Sequence, residues 1–193
     1  YYTNGTLAAA PTVAAAAPLT ITGISVPAGG NATIIYEAAT NEFTPRGNEN
    51  SVVNTATVTG AGLANPVTAT ESVSPVAAPD LSITKSVNPG VVAENGQLTY
   101  TFLIENYGNT EASAADNVVI TDTFNPILTG ISVSYNGMAW AEPTNYTYNE
   151  TNGSFATVAG QITVPAATFT QDAVTGIITT TPGTATVTVT GTI

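Results

Sequence analysis

Only two cations stand in a chain of 193 residues, Arg46 and Lys85, against thirteen Asp and Glu. Lys85 falls in the run LSITKSV, where Leu81, Ile83, Lys85 and Val87 share one parity and Ser82, Thr84 and Ser86 the other. A period of two predicts a strand, and this one sends its Lys toward the core with three aliphatic neighbours. Asp122 shares a parity with Val118 and Ile120, and Asn54 with Val52, Ala56 and Val58, so both are also predicted to point inward. An amine, a carboxyl and a carboxamide facing one core are the ingredients of a spontaneous Lys–Asn isopeptide crosslink. Burial favours the neutral forms of the first two. The free amine can then attack the Asn carbonyl while the acid polarises it and helps ammonia leave. The same residues also fit a plainer arrangement, in which Lys85 snorkels or forms an ion pair with Asp122.

Other chemistry is narrowed by what is missing. With no His and no Cys, Ser-His-Asp and Cys-His nucleophile systems are excluded and zinc, copper and haem sites are disfavoured. Two cations cannot build a groove for nucleic acid. No cofactor is expected. Calcium is the one metal whose donors are plentiful. Glu105, Asn106, Asn109, Glu111 and Asp116 crowd one stretch, and Glu42, Asn48, Glu49 and Asn50 another, but acids in loops normally face water. Trp140, Tyr135 and Tyr146, with Tyr148 and Phe155 nearby, could form a sugar-binding surface or fill the mouth of a core. The inventory predicts no enzyme.

These side chains must be positioned by strands. Leu98, Tyr100, Phe102 and Ile104 alternate with polar residues, and similar runs occur at 19–26, 32–38, 51–59, 67–73, 81–87, 117–122 and 184–193. Turn residues separate them at 27–31, 60–66, 88–90, 94–96 and 106–109, and 172–176 reads as a hairpin loop. The Ala-rich stretch 8–17 is flanked and cut by Pro11 and Pro18, so it is predicted as extended loop or edge strand. Many short strands with frequent turns predict an all-β sandwich. Aliphatic content rich in Val and Ile argues against disorder despite 12 Pro and 17 Gly. LTITGI at 19–24 matches VTVTGT at 187–192, which suggests an internal repeat. On that reading residues 1–79 are the end of one repeat and 80–193 the start of the next, joined at Ala77-Ala78-Pro79.

The stretch DLSITKSVNPGVVAENGQLTYTFLIENYGN, followed by NVVITDTFNP, resembles DUF11, a repeat family of bacterial cell-surface proteins. The features carrying the resemblance are Asp80-Leu81, Lys85, Gly96, Tyr100, Asn106, Gly108, Thr121-Asp122 and Pro126, over 80–126. NSVVNTATVTGAG looks like the closing strand of a preceding repeat. The resemblance implies an immunoglobulin-like β-sandwich in a tandem array, with a structural or adhesive role and no catalytic activity. No wall-sorting motif of the kind usual in such chains is present.

Charged residues make up 8% of the chain, against about 25% in ordinary soluble proteins. Thr supplies 36 residues and must cover much of the surface. Such a surface suits an extracellular fibre or cell-wall protein, with any sorting signal removed or outside this sequence. The expectation is therefore a structural subunit of a bacterial surface fibre. Each half, cut out of phase with the fold, is short of strands, so copies of the chain would complete one another by strand donation. The alternative is an adhesive module for host or matrix glycans.

Overall fold

The computed structural model describes residues 1–41, 43–47 and 52–193. The chain forms two compact units, Tyr1–Asn41 and Glu42–Ile193. Residues 76–80, which include the Ala77-Ala78-Pro79 linker read from the sequence, are tied by hydrogen bonds to the loop at 106–109, as described below.

The first unit has short strands. β1 (Tyr2–Thr3) lies between β2 (Thr6–Leu7) and β5 (Ala32–Thr33), and β3 (Thr12–Ala16) pairs with β4 (Leu19–Thr22). The β1–β2 hairpin turns on Asn4-Gly5, both at positive φ (49° and 78°), the backbone that a two-residue hairpin turn requires. The Asn4 side chain then accepts from the Asn31 amide at 2.9 Å, tying β5 to the same turn. The Ala-rich stretch is indeed an edge strand, β3.

The second unit begins with an antiparallel ribbon, β6 (Val52–Val58) with β7 (Val67–Val73). A sandwich follows. Its larger sheet has the order β12 (Met138–Trp140), β11 (Thr129–Tyr135), β17 (Gly183–Thr192), β9 (Gln97–Asn106), β8 (Leu81–Asn88). Its smaller sheet has the order β10 (Thr121–Thr123), β14 (Ser154–Thr157), β13 (Tyr146–Asn149). A further hairpin, β15 (Thr168–Gln171) with β16 (Ile178–Thr181), precedes β17 and closes on the predicted 172–176 loop. All the named pairings are antiparallel. The fold class is all-β, as the alternation predicts.

β9 and β17 form the spine, paired residue for residue from Gln97↔Thr192 to Asn106↔Gly183. Leu98, Tyr100, Phe102 and Ile104 from β9 and Ala185, Val187 and Val189 from β17 are buried, while the intervening Thr residues face out. Thr99 and Thr190 bond hydroxyl to hydroxyl across that outer face at 2.9 Å. The opposing layer supplies Ile120, Phe124, Tyr146 and Phe155. Phe124 packs on Tyr100 and Phe155, with ring centroids 4.9 and 5.7 Å apart, and Tyr146 and Phe102 flank Phe155. The two segments of the suggested repeat sit in different settings. VTVTGT lies in the central strand β17, whereas LTITGI lies in β4 of an exposed two-stranded hairpin.

Candidate functional site

The larger sheet has five strands and the smaller has three, so the two layers do not cover each other completely. On one side β8 is an edge strand of the larger sheet and β10 an edge strand of the smaller, and the exposed residues of β8 mark where cover is missing. Register fixes what faces the gap. Leu81, Ile83, Lys85 and Val87 stand opposite Asn106, Ile104, Phe102 and Tyr100 of β9 and therefore share the core side of the sheet. The parity read from the sequence is correct. Even so, every residue of β8 is exposed: Leu81 is 38% exposed, Ile83 54% and Val87 43%.

Lys85 and Asp122 meet across this gap. Asp122 is paired with the buried Phe155 in β10–β14, which turns it to the core side of the smaller sheet. The Lys85 ammonium donates to Asp122 Oδ2. It also sits over three rings, 4.6 Å from the centroid of Tyr100, 5.4 Å from Phe124 and 5.5 Å from Phe102. Each ring presents its negative face to the cation. The Lys85 side chain is 40% exposed and that of Asp122 18%. A pair this open to water contributes about 0–1 kcal/mol, so it is a weak clasp between the layers in the isolated chain. In the single chain Lys85 is thus ion-paired with Asp122.

Asn54, the third member of the candidate crosslink, lies elsewhere, in β6, opposite Glu71 of β7. The ribbon has two distinct faces. Val52, Asn54, Ala56 and Val58 stand opposite Val73, Glu71, Ala69 and Val67 on one face. The other face carries Val53, Thr55, Thr57, Thr68, Thr70 and Ser72, with Thr55 and Thr70 bonded hydroxyl to hydroxyl at 2.9 Å. All fourteen residues of β6 and β7 are exposed, so the predicted inward direction of Asn54 is a face without a layer over it. Sequence reading missed Glu71 as its cross-strand neighbour. The parity of Val67, Ala69, Glu71 and Val73 carries that signal.

The segment that joins the ribbon to β8 is held by Asn106, which is fully buried. Its Oδ1 accepts from the amides of Asp80 (3.0 Å) and Gly108 (2.9 Å). Its Nδ2 donates to the carbonyls of Thr110 (2.8 Å), Pro165 (3.0 Å) and Val164 (3.3 Å). Asn109 continues the contact, accepting from the Ala78 amide and donating to the Val76 carbonyl. Residues 76–80 thus run as a backward extension of β8 alongside Tyr107–Asn109. Gly108 is required there, since a Cβ would fall 2.2 Å from the Ala78 carbonyl oxygen. Beyond this pole Val53 lines an open hollow with Pro45, Arg46, Gly47, Thr168, Phe169, Gln171 and Ile178.

The remaining sequence candidates separate. Tyr146 is buried in the core and offers no surface. Tyr135 and Trp140 stack on each other, centroids 5.0 Å apart, as a diagonal pair across the β11–β12 hairpin, where Tyr135 stands opposite Met138 and Trp140 opposite Val133. The Tyr135 hydroxyl donates to the Thr163 carbonyl and accepts from the Thr163 amide. The three therefore form no shared sugar platform: one lies inside, and the other two are partly buried against the core. Of the calcium candidates, Asn106 has its amide committed to backbone, and Asp116 accepts from the amide and hydroxyl of Ser113 in the capping of a short 3₁₀ turn, Ala114–Asp116. Glu42, Asn48, Glu49 and Asn50 lie outside the described residues. No group of three or more acids poised to hold a metal occurs among the described residues. No described helix is long and apolar enough to cross a membrane.

The chain is thus an all-β sandwich protein with one side of its core left open and a separate two-faced ribbon. No family model, curated protein or solved structure matches it.

Proposed function

We propose that the protein is a structural subunit of an extracellular bacterial surface fibre, assembled by strand complementation between copies of the chain. The observation that carries this reading is the open side between β8 and β10, where aliphatic residues of core parity stand in water. Leaving Leu81, Ile83 and Val87 about half exposed forgoes roughly half of the ~1.5–3 kcal/mol that burying each one fully from water gives. An unpaired sheet edge beside them offers backbone groups to an incoming strand. Burial of both in an assembly recovers what the single chain leaves unused. The resemblance to DUF11 repeats supports the same reading, since it implies an immunoglobulin-like sandwich from a tandem array at the bacterial surface. So does the sparsely charged, Thr-rich composition, which suits close-packed neighbours outside the cell. The role is passive, and no catalytic step is assigned to it. Negative-stain electron microscopy of the purified chain over a wide concentration range tests the proposal. Fibres or chains of sandwiches are expected above a threshold concentration. Dispersed monomers throughout would overturn it.

A further inference from the structure

We infer that the open side of the sandwich receives the β6–β7 ribbon of a second copy, seated apolar face down, and that Lys85 of the first copy becomes covalently joined to Asn54 of the second. This rests on the fibre reading above and names its joint.

Strand number and pattern agree. The smaller sheet is two strands short of the larger, and the ribbon supplies two. Strands beside β10 would cover Leu81, Ile83 and Val87, and the ribbon's Val52, Ala56, Val58, Val67, Ala69 and Val73 form the apolar face to do so. The Thr face would then point outward, continuing the Thr-covered exterior of β9 and β17. A lone two-stranded ribbon is marginal in water and needs such a partner layer. The gap holds the Lys85–Asp122 pair, and the ribbon brings Asn54, with Glu71 opposite it, at the middle of its apolar face.

The ribbon of the same chain does not reach. Val76 is fixed beside Asn109, on the line of β8 extended backward. From Val76 to Lys85 is nine residues of extended chain, about 30 Å. From Val76 back to Glu71 is five residues, at most about 18 Å. Folded straight back, Glu71 and its neighbour Asn54 would stop roughly 10 Å short of Lys85. A second copy has no such tether.

Seating the ribbon excludes water from Lys85 and Asp122, which are already hydrogen-bonded. In that setting the proton moves from the ammonium to the carboxylate, because a dry environment disfavours both charges. The neutral Lys85 Nζ attacks Asn54 Cγ, and a new C–N bond forms. The amine proton and the Asp122 proton pass to the departing nitrogen, whose bond to Cγ breaks. The nitrogen leaves as ammonium, and Asp122 ends as the carboxylate it was. No oxidant or co-reactant enters. Asp122 acts as the general acid–base, and the product is an amide between copies.

The test uses the full chain. Equal amounts of ¹⁵N-labelled and unlabelled protein are mixed before assembly, then boiled in SDS and measured by mass spectrometry. Expected are SDS-resistant ladders, a loss of about 17 Da per joint, one ammonia, and a Lys85–Asn54 peptide of mixed isotopic origin. In a second arm, Lys85→Gln keeps the donor ribbon and Asn54→Ala keeps the acceptor gap. Each alone is expected to give no covalent oligomer, and the two together a single SDS-resistant dimer. Fibres that dissolve in SDS with no mass loss would overturn the covalent joint while leaving the fibre reading intact. A Lys85–Asn54 peptide formed only within one isotopic population would overturn the exchange between copies. No assembly of the wild-type chain would remove both.

Discussion

Replacing Asn106 with Ala should cost about 3–4 kcal/mol of unfolding free energy. Five hydrogen bonds converge on this one fully buried side chain. Their loss is not uniform. The Gly108 amide lies in a buried setting and would be left without its acceptor, which costs about 1–3 kcal/mol. The Val164 carbonyl keeps its other partner, the Ala112 amide at 2.9 Å, and loses little. The bonds to Asp80, Thr110 and Pro165 are partly buried, and each net loss is about 0.5–1 kcal/mol as water takes over. At roughly 2–4 °C per kcal/mol for a chain of this size, the melting temperature should fall by about 10 °C. Denaturant unfolding followed by Trp140 fluorescence supplies the free energy, and hydrogen exchange supplies the locality. The amides of Asp80 and Gly108 should lose protection in the variant under native conditions, because residues 76–80 are released from the loop. A loss below about 1 kcal/mol, with both amides still protected, would refute the reasoning that this side chain anchors the segment.

Two other outcomes follow from the same geometry. Phe155→Ala removes the ring against which Phe102, Phe124 and Tyr146 pack, and should destabilise the sandwich by about 3–5 kcal/mol in denaturant titration, with no comparable change for a Val53→Ala control on the ribbon. Asp172 is held below the usual carboxylate range by hydrogen bonds from the Thr175 amide and hydroxyl and then from the Val174 amide. A depressed folded pKa contributes stability above the unfolded value and loses it as pH falls through the folded one, so the β15–β16 loop should loosen only in acid. Carboxyl NMR titration should show the Asp172 pKa rising in Thr175→Val, and an unchanged value would refute the assigned cause.

Legibility in the sequence differed sharply between elements, for physical reasons. Alternation is local, since adjacent side chains on a strand point to opposite faces. It therefore gave Leu98, Tyr100, Phe102 and Ile104 as core, placed Lys85 and Asp122 on the core side of their sheets, and gave β6, β7 and β17 nearly to the residue. The strands β11–β14 went unread, and of the β15–β16 hairpin only its loop was read. They are mostly short, and the aromatic residues among them gave no clean alternation from which to separate core from surface. Tyr146 faces the core from β13, while Trp140 is spent on Tyr135 across a hairpin whose Asn136-Gly137 turn was the available signal. From the sequence Asn106 reads only as a turn residue and a calcium-donor candidate, and Gly108 only as a turn residue, because their partners lie at 78–80 and 164–165 and are joined to them only by folding.

The sequence by itself determined that this is a β protein, which residues share each strand face, and that Lys85, Asp122 and Asn54 sit among aliphatic neighbours. It could do so because strand periodicity is dictated by backbone geometry one residue at a time. Only the tertiary structure decided which of those faces are covered. Covering depends on how many strands each layer has and which segment is tethered where. Three strands lie against five, and the pinning of residues 76–80 keeps the ribbon from its own gap. The same parity that buries Phe102 therefore leaves Ile83 in water.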